Sequence, residues 1–391
     1  MAQLFVALAV LLAAPPVASE PQFLAMTAEG TTSSGVVTKI GAGWEVVWKT
    51  GPPVVAGQLI CLRRAGVALP DLPTQPMVIL ANGDRIAGRV TGGDSRALQL
   101  MPTIGTPAGA VWTVPLSTVR AVWFTSPTET ILDSGKEDVL LLRSGDTRRG
   151  TIERLTTDPA TVVLKGSDGV PLAKLGAIVF DPTLARIRKP KTSYAKLVLA
   201  NGTRITLSAA QADAAMISGT SAFGASVQIP LNEVIALDIH GGKATYLSDL
   251  KPKQEDIEQF GDLKWLSVAD RNVHGQSLRL NSPFGVQTFD KGLGTHSRTT
   301  LVYDLAGKYR RFETVVGLDA YSGKRGAVDI TISVDGKEIP IDGLKRMTAQ
   351  TLPKTLSIDV TKARQLTLLV DFGPGGDVQD DVNWCDARLI E

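Results

Sequence analysis

Histidine and cysteine are scarce, with three His and two Cys in 391 residues. That leaves little material for a zinc centre or for disulfide stapling. Cys61 and Cys385 stand far apart, in what read as different domains, and are expected as two buried free thiols rather than a pair. Charge of one sign is equally short: 41 Lys+Arg against 39 Asp+Glu leave a net +2. Neither nucleic acid nor an anionic membrane surface is therefore an expected partner, because both are held by an excess of basic side chains. No apolar run is long enough to span a bilayer, which needs roughly 20 residues. Hydrophobic residues at 43% and charged residues at 20% are globular values, and they exclude a disordered or collagenous chain. What is plentiful is glycine, 38 residues, which points to many turns.

The apolar run from Leu4 to Ala14, followed by Pro15-Pro16 and the small residues Ala18 and Ser19, has the form of a secretory signal peptide over 1–19. The expected location is secreted, periplasmic or cell-envelope, with no membrane span. Beyond it one pattern recurs: an apolar strand, an Asn-Gly-Asp turn or its variant, a second strand, then a late strand opened by Pro-Leu. The copies fall at 77–125, 138–182 and 195–242, with turn glycines Gly83, Gly145 and Gly202 about sixty residues apart. A degenerate first copy is expected over 20–66. Asn-Gly between apolar runs supplies the positive φ that a hairpin needs, and Gly88 and Gly150, inside strands, suggest bulges that let each sheet curl into a small barrel. Nothing reactive recurs at equivalent positions, so the copies read as a spacer or an interaction array, with envelope proteins as candidate partners.

The last third is again all β, with alternation in Ala327–Val334 and an Asp335-Gly336 hairpin turn. Several phrases stand in order here: Tyr246-Leu247-Ser248-Asp249-Leu250, Lys291-Gly292-Leu293-Gly294-Thr295-His296-Ser297, Val302-Tyr303-Asp304-Leu305, Val316-Gly317-Leu318-Asp319, and Asp380-Asp381-Val382-Asn383-Trp384-Cys385-Asp386-Ala387-Arg388-Leu389. Over 245–391 they resemble the NPCBM family, carbohydrate-binding modules at the ends of some bacterial glycoside hydrolases and in other secreted bacterial proteins. The resemblance implies a galactose-binding-like jelly-roll β-sandwich that meets a glycan, of galactose type, with loops at one end. The expected fold is thus all-β, a sandwich preceded by three or four small β-barrel-like repeats.

Candidate sugar-binding residues are Tyr321, Asp319, His296 and Trp384. Tyr321 lies in the loop 320–326, where a rigid sandwich carries its contacts. His296 is read either as a donor to a sugar hydroxyl or as a satisfied structural histidine. Asp319 is expected to cap a loop or to pair with Arg298, Arg325 or Arg388. Trp384 is either a stacking platform or core. Asp377, Asp380 and Asp381 follow Gly373-Pro374-Gly375-Gly376, and oxygen ligands in a tight loop suit a structural Ca²⁺, although the spacing is not that of an EF-hand. No other cofactor is required. The usual catalytic motifs of zinc proteases, serine hydrolases, phosphate loops and dinucleotide folds do not occur. A glycosidase needs only two carboxylates and stays open as an alternative, as does an envelope protein-binding role without sugar specificity.

Overall fold

The computed structural model describes residues 20–74, 76–104, 110–126, 135–258 and 264–391. The expected leader, 1–19, lies outside them, and no helix among the described residues is long and apolar enough to cross a membrane.

Four β units occupy the first 240 residues. In the second, Met77–Leu80 pairs on one side with Arg85–Gly93 and on the other with Val119–Trp123, the last strand of the unit. The third closes in the same way, Asp138–Leu142 lying between Thr147–Gly150 and Leu175–Val179. In the fourth, Tyr194–Leu199 lies between Arg204–Ala212 and Val234–His240. The segment 20–66 does likewise with four strands, Gln22–Thr27 pairing with both Thr32–Ile40 and Leu59–Arg64. Each sheet curls because its first strand is hydrogen-bonded to its last.

The turns show how the sequence sets this up. At Ala81-Asn82-Gly83 the Gly83 N–H donates to Leu80 O (3.0 Å), the Leu80 N–H to Asp84 O (2.9 Å), and only Gly83 has positive φ, +86°. This is a three-residue loop, a type I turn closed by a glycine bulge, instead of a two-residue turn with two positive φ values. Asn82 Oδ1 accepts the Asp84 N–H at 3.2 Å, and Asn201 Oδ1 accepts the Thr203 N–H at 3.0 Å, which is why Asn precedes the glycine in those two copies. The Pro-Leu phrase does not open the last strand. Pro115, Pro171 and Pro230 each lead into one 3₁₀ turn, Leu116–Thr118, Leu172–Lys174 and Leu231–Glu233, that separates the last two strands of the unit. Proline suits that position because it has no N–H to leave unpaired and its fixed φ, −60°, −56° and −57° at the three sites, leads the chain into the turn. The bulge of the second unit falls between Val90 and Gly92, not at Gly88. Gly88 is small for a different reason: a Cβ there would stand 2.6 Å from Met101 O. Gly150 marks the place where the strand breaks, and Ile152–Thr157 continues into a separate three-stranded sheet.

The units do not follow one another as beads. The last strands of units two and three pair edge to edge, Val122 opposite Ile178, and the last strands of units one and four do the same, Leu237 opposite Leu62. Edge strands are thereby consumed. One apolar core runs from Phe23 to Ile239 through all four units, and a second patch of Met77, Ile79, Trp123, Val139 and Val179 lies at the seam of units two and three.

The C-terminal part is a sandwich of two antiparallel six-stranded sheets. One is centred on Val382–Ile390, between Gly292–Thr295 and Arg311–Leu318. The other is centred on Gln365–Phe372, between Thr299–Asp304 and Ala327–Val334. Val328, Ile330 and Ile332 alternate inward and meet Leu366, Leu368, Val370, Phe312 and Trp384 in the core between the sheets. At Asp335-Gly336 both residues have positive φ, the two-residue turn that matches strand twist.

The sandwich is seated on the repeats. Arg204 Nε and Nη2 grip Asp290 Oδ2 and Oδ1, both at 3.0 Å, while the same guanidinium donates to the carbonyls of Pro70, Asp71 and Gly202. Arg310 and Arg311 donate to Ala28 O at 2.8 and 3.1 Å. Ala28, Ile60 and Cys61 close over Ala244 and Ile390. Cys61 and Cys385 are free and buried, and burial pushes both thiols up from their ordinary pKa.

Candidate carbohydrate site

One end of the sandwich gathers polar and aromatic side chains from three places: the segment 265–279, the loop after Leu318, and the entry to Val382–Ile390. Gly294 allows the first of these to approach, since a Cβ there would lie 2.5 Å from both Arg271 O and Asn272 Cα. The loop therefore rests directly on the strand Gly292–Thr295.

Asp381 is the hub. Its carboxylate, buried, accepts from His274 Nε2 at 2.9 Å and from Ser322 Oγ, and lies 3.7 Å from His296 Nε2. His296 Nδ1 donates to Ser297 O, 2.7 Å away: a carbonyl only accepts, so Nδ1 carries the proton. Trp265 covers both imidazoles, stacked on His296 (centroids 5.5 Å apart, 24° between planes) and edge-on to His274 (5.1 Å, 78°). The His274 side chain keeps 43% of its surface in solvent, whereas His296 keeps 6%.

Asp319 is also buried and pairs with none of Arg298, Arg325 or Arg388. Its Oδ2 accepts from Asn383 Nδ2 (2.7 Å) and Asn272 Nδ2 (3.3 Å), and its Oδ1 from the Tyr321 N–H (2.8 Å). Two of these arginines are occupied elsewhere: Arg388 on Glu313 at 2.9 Å, Arg298 on Glu258 at 2.7 Å. Asp319 thus acts as a loop cap that holds Tyr321. That ring is 61% exposed, with the Arg279 guanidinium 4.8 Å from its centroid.

Trp384 does not reach this surface. Its ring is fully buried in the sandwich core and its Nε1 donates to Thr295 Oγ1 at 3.2 Å, because residue 384 alternates inward on a central strand. Asp380 turns away from Asp381: it accepts from Ser297 Oγ (2.8 Å) and the Ala327 N–H (2.9 Å), and burial pushes its carboxyl up despite those bonds. Among the described residues no three His, Cys, Asp or Glu side chains are gathered as a metal cage. Trp265, Asn272, His274, Arg279 and Ser322 escape the sequence reading. The one signal toward them is that His274, one of only three histidines, stands in a stretch without strand periodicity.

The family model of the NPCBM/NEW2 domain matches residues 243–390, the sandwich and not the repeats. No curated protein matches the chain. Among solved structures it is similar to the CBM51 of a Clostridium perfringens GH95 in complex with methyl-galactose, at 28% identity over 37% of this chain and 99% of that one, TM-score 0.34. It is also similar to CBM51-2 in complex with GlcNAc and INT domains of Clostridium perfringens ZmpB, at 25% identity over 57% of this chain and 45% of that one, TM-score 0.35. A third likeness is to the tandem CBM51 modules of Sp3GH98, the family 98 glycoside hydrolase of Streptococcus pneumoniae, at 14% identity over 64% and 87%, TM-score 0.34. Residues 243–390 are thus a β-sandwich that matches the NPCBM/NEW2 domain model.

Proposed function

We propose that the chain is an exported, non-catalytic glycan-binding protein that meets a galactose-type sugar at this end of the sandwich. The observation that carries the reading is the convergence of His274 and Ser322 on the buried Asp381 carboxylate, with Trp265 edge-on to His274 and the exposed Tyr321 next to Ser322 in the chain. Tyr321 offers an aromatic face to the C–H side of a pyranose, and His274, Ser322 and Arg279 offer hydrogen bonds to its hydroxyls. A binding role is favoured over hydrolysis because Asp319 and Asp381 are both engaged by protein donors. Neither is left as a free acid or base, and a glycosidase needs one of each. Export is supported by the leader pattern at 1–19, and the repeats serve as the seat of the module. We propose further that binding needs no Ca²⁺, since protein donors already fill Asp380.

Calorimetry of the full chain with methyl β-galactoside tests this. Tyr321→Ala is expected to weaken binding about tenfold or more, equivalent to roughly 1.4 kcal/mol, with EDTA leaving the wild-type titration unchanged. Absence of binding to any neutral sugar, or release of the sugar from a glycoside, overturns the reading.

A further inference from the structure

A second cavity, of about 210 Å³, opens between the repeats and the sandwich, lined in part by Thr74 and Arg85 on one wall and by Arg271, Gln276, Ser277 and Arg279 on the other. It has room for an oxyanion and several waters, each taking about 30 Å³. Its charge is unbalanced. Three guanidiniums, Arg85, Arg271 and Arg279, line it against one carboxylate, Asp71. Asp71 Oδ1 is taken by Arg279 Nη2 at 3.2 Å and Thr288 Oγ1 at 3.0 Å. The side chains of Arg85 and Arg271 have neither a hydrogen bond nor an ion pair within 4 Å among the described residues, though both residues are half-buried. Asp290 attracts both Arg85 and Arg271, and Asp270 attracts Arg271, but neither carboxylate is free: Asp290 is held by Arg204 and Asp270 by Lys291 at 2.7 Å.

Two cations partly withdrawn from water without partners are costly unless something neutralises them. Burial, followed by the like charges of Arg271 and Arg204, brings the Arg85 guanidinium down to about 10. An oxyanion between two planar forks relieves that strain, because each guanidinium presents paired N–H donors to a carboxylate, sulfate or phosphate group. The cavity is continuous with the sugar site through two features. Arg279 lines it and also covers Tyr321 at 4.8 Å. The same segment sends Arg271 and Ser277 into the cavity and His274 to Asp381.

We propose that this cavity is an anion subsite that reads an acidic group, a sulfate or carboxylate, carried on the glycan whose neutral ring lies on Tyr321. The proposal rests on the sugar-binding reading above and extends it to acidic glycans. It also assigns the repeats a share in recognition, since Arg85 and Thr74 belong to them and not to the sandwich.

The test is calorimetry of the full chain, at fixed ionic strength, with galactose, the sulfate monoesters of galactose, and inorganic sulfate. At least one sulfate ester is expected to bind about tenfold or more tightly than galactose. Arg85→Met and Arg271→Gln each remove that advantage and leave galactose affinity unchanged. Thermal melting separates this from a structural role: Arg85→Met is expected to leave the transition of the sugar-free protein unchanged or raised, whereas a residue that held the interface would lower it. Equal affinity for galactose and all its esters, or an advantage that survives both substitutions, overturns the proposal. Arginine-dependent binding of inorganic sulfate with no preference for any ester makes the free anion the ligand and overturns the glycan-borne source. Failure of galactose itself with arginine-dependent sulfate binding intact sinks the sugar reading and not the anion site, so the two failures are distinguishable.

Discussion

Tyr321 and Trp384 illustrate how differently two aromatic residues of one domain behave. The first is 61% exposed and the second fully buried. Trp384→Ala is therefore expected to cost about 3–5 kcal/mol in denaturant unfolding, the range for truncating a large core aromatic. Tyr321→Ala should stay within about 0.5 kcal/mol while weakening sugar binding. Asp249 gives a residue-level pH dependence. Burial raises its pKa, but contacts with His240 (3.8 Å) and Lys291 (2.8 Å) outweigh burial and hold the carboxyl well below the usual range. A depressed folded pKa means that its stabilisation is present above the unfolded value of about 3.9 and is lost as pH falls toward the folded value. Melting temperature should drop below about pH 4 in the wild type, and Asp249→Asn should flatten that acid limb. An unchanged slope would remove Asp249 from the account.

At the scale of elements, the hairpins were legible because their chemistry is local. Asn-Gly between apolar runs announces a turn whatever surrounds it, and the structure differs only in adding a third loop residue at Ala81 and its equivalents. The Pro-Leu turns were misread because a 3₁₀ turn between two extended strands has no hydrophobic period of its own. Loops carry most of the candidate site, and there local signals fail: Asp319 finds Asn272 and Asn383, 47 and 64 residues away. The position of the 265–279 segment depends on Gly294. Gly294→Ala places a methyl 2.5 Å from Arg271 O and Asn272 Cα, and both are backbone atoms that cannot rotate aside. This substitution should weaken sugar and sulfate-ester binding together. Circular dichroism of the strands should be retained, and loss of only one of the two activities would argue against a shared loop.

For the whole molecule, the joint between repeats and sandwich is the largest structural commitment. Arg204, 9% exposed in its side chain, satisfies Asp290 and three carbonyls at once. Arg204→Met strands those acceptors and should destabilise the chain by about 3–5 kcal/mol, the range for breaking a buried ion pair from one side. A calorimetric scan should then resolve two transitions where the wild type is expected to show one. If wild type itself melts in two steps, the joint is weaker than its hydrogen bonds imply.

Composition, turn residues and strand alternation were enough to establish an all-β chain with recurring small units and a terminal sandwich, because each of those features acts within a few residues of its neighbours. The ordered phrases from Tyr246 to Leu389 were enough to point to the NPCBM/NEW2 domain whose model matches residues 243–390. The pairing of unit one with unit four, the burial of Trp384, the meeting of His274 with Asp381 and the arginine cavity between the two bodies depended on contacts tens to hundreds of residues apart. Such contacts are selected by packing and charge balance in the folded chain, and no local pattern records them.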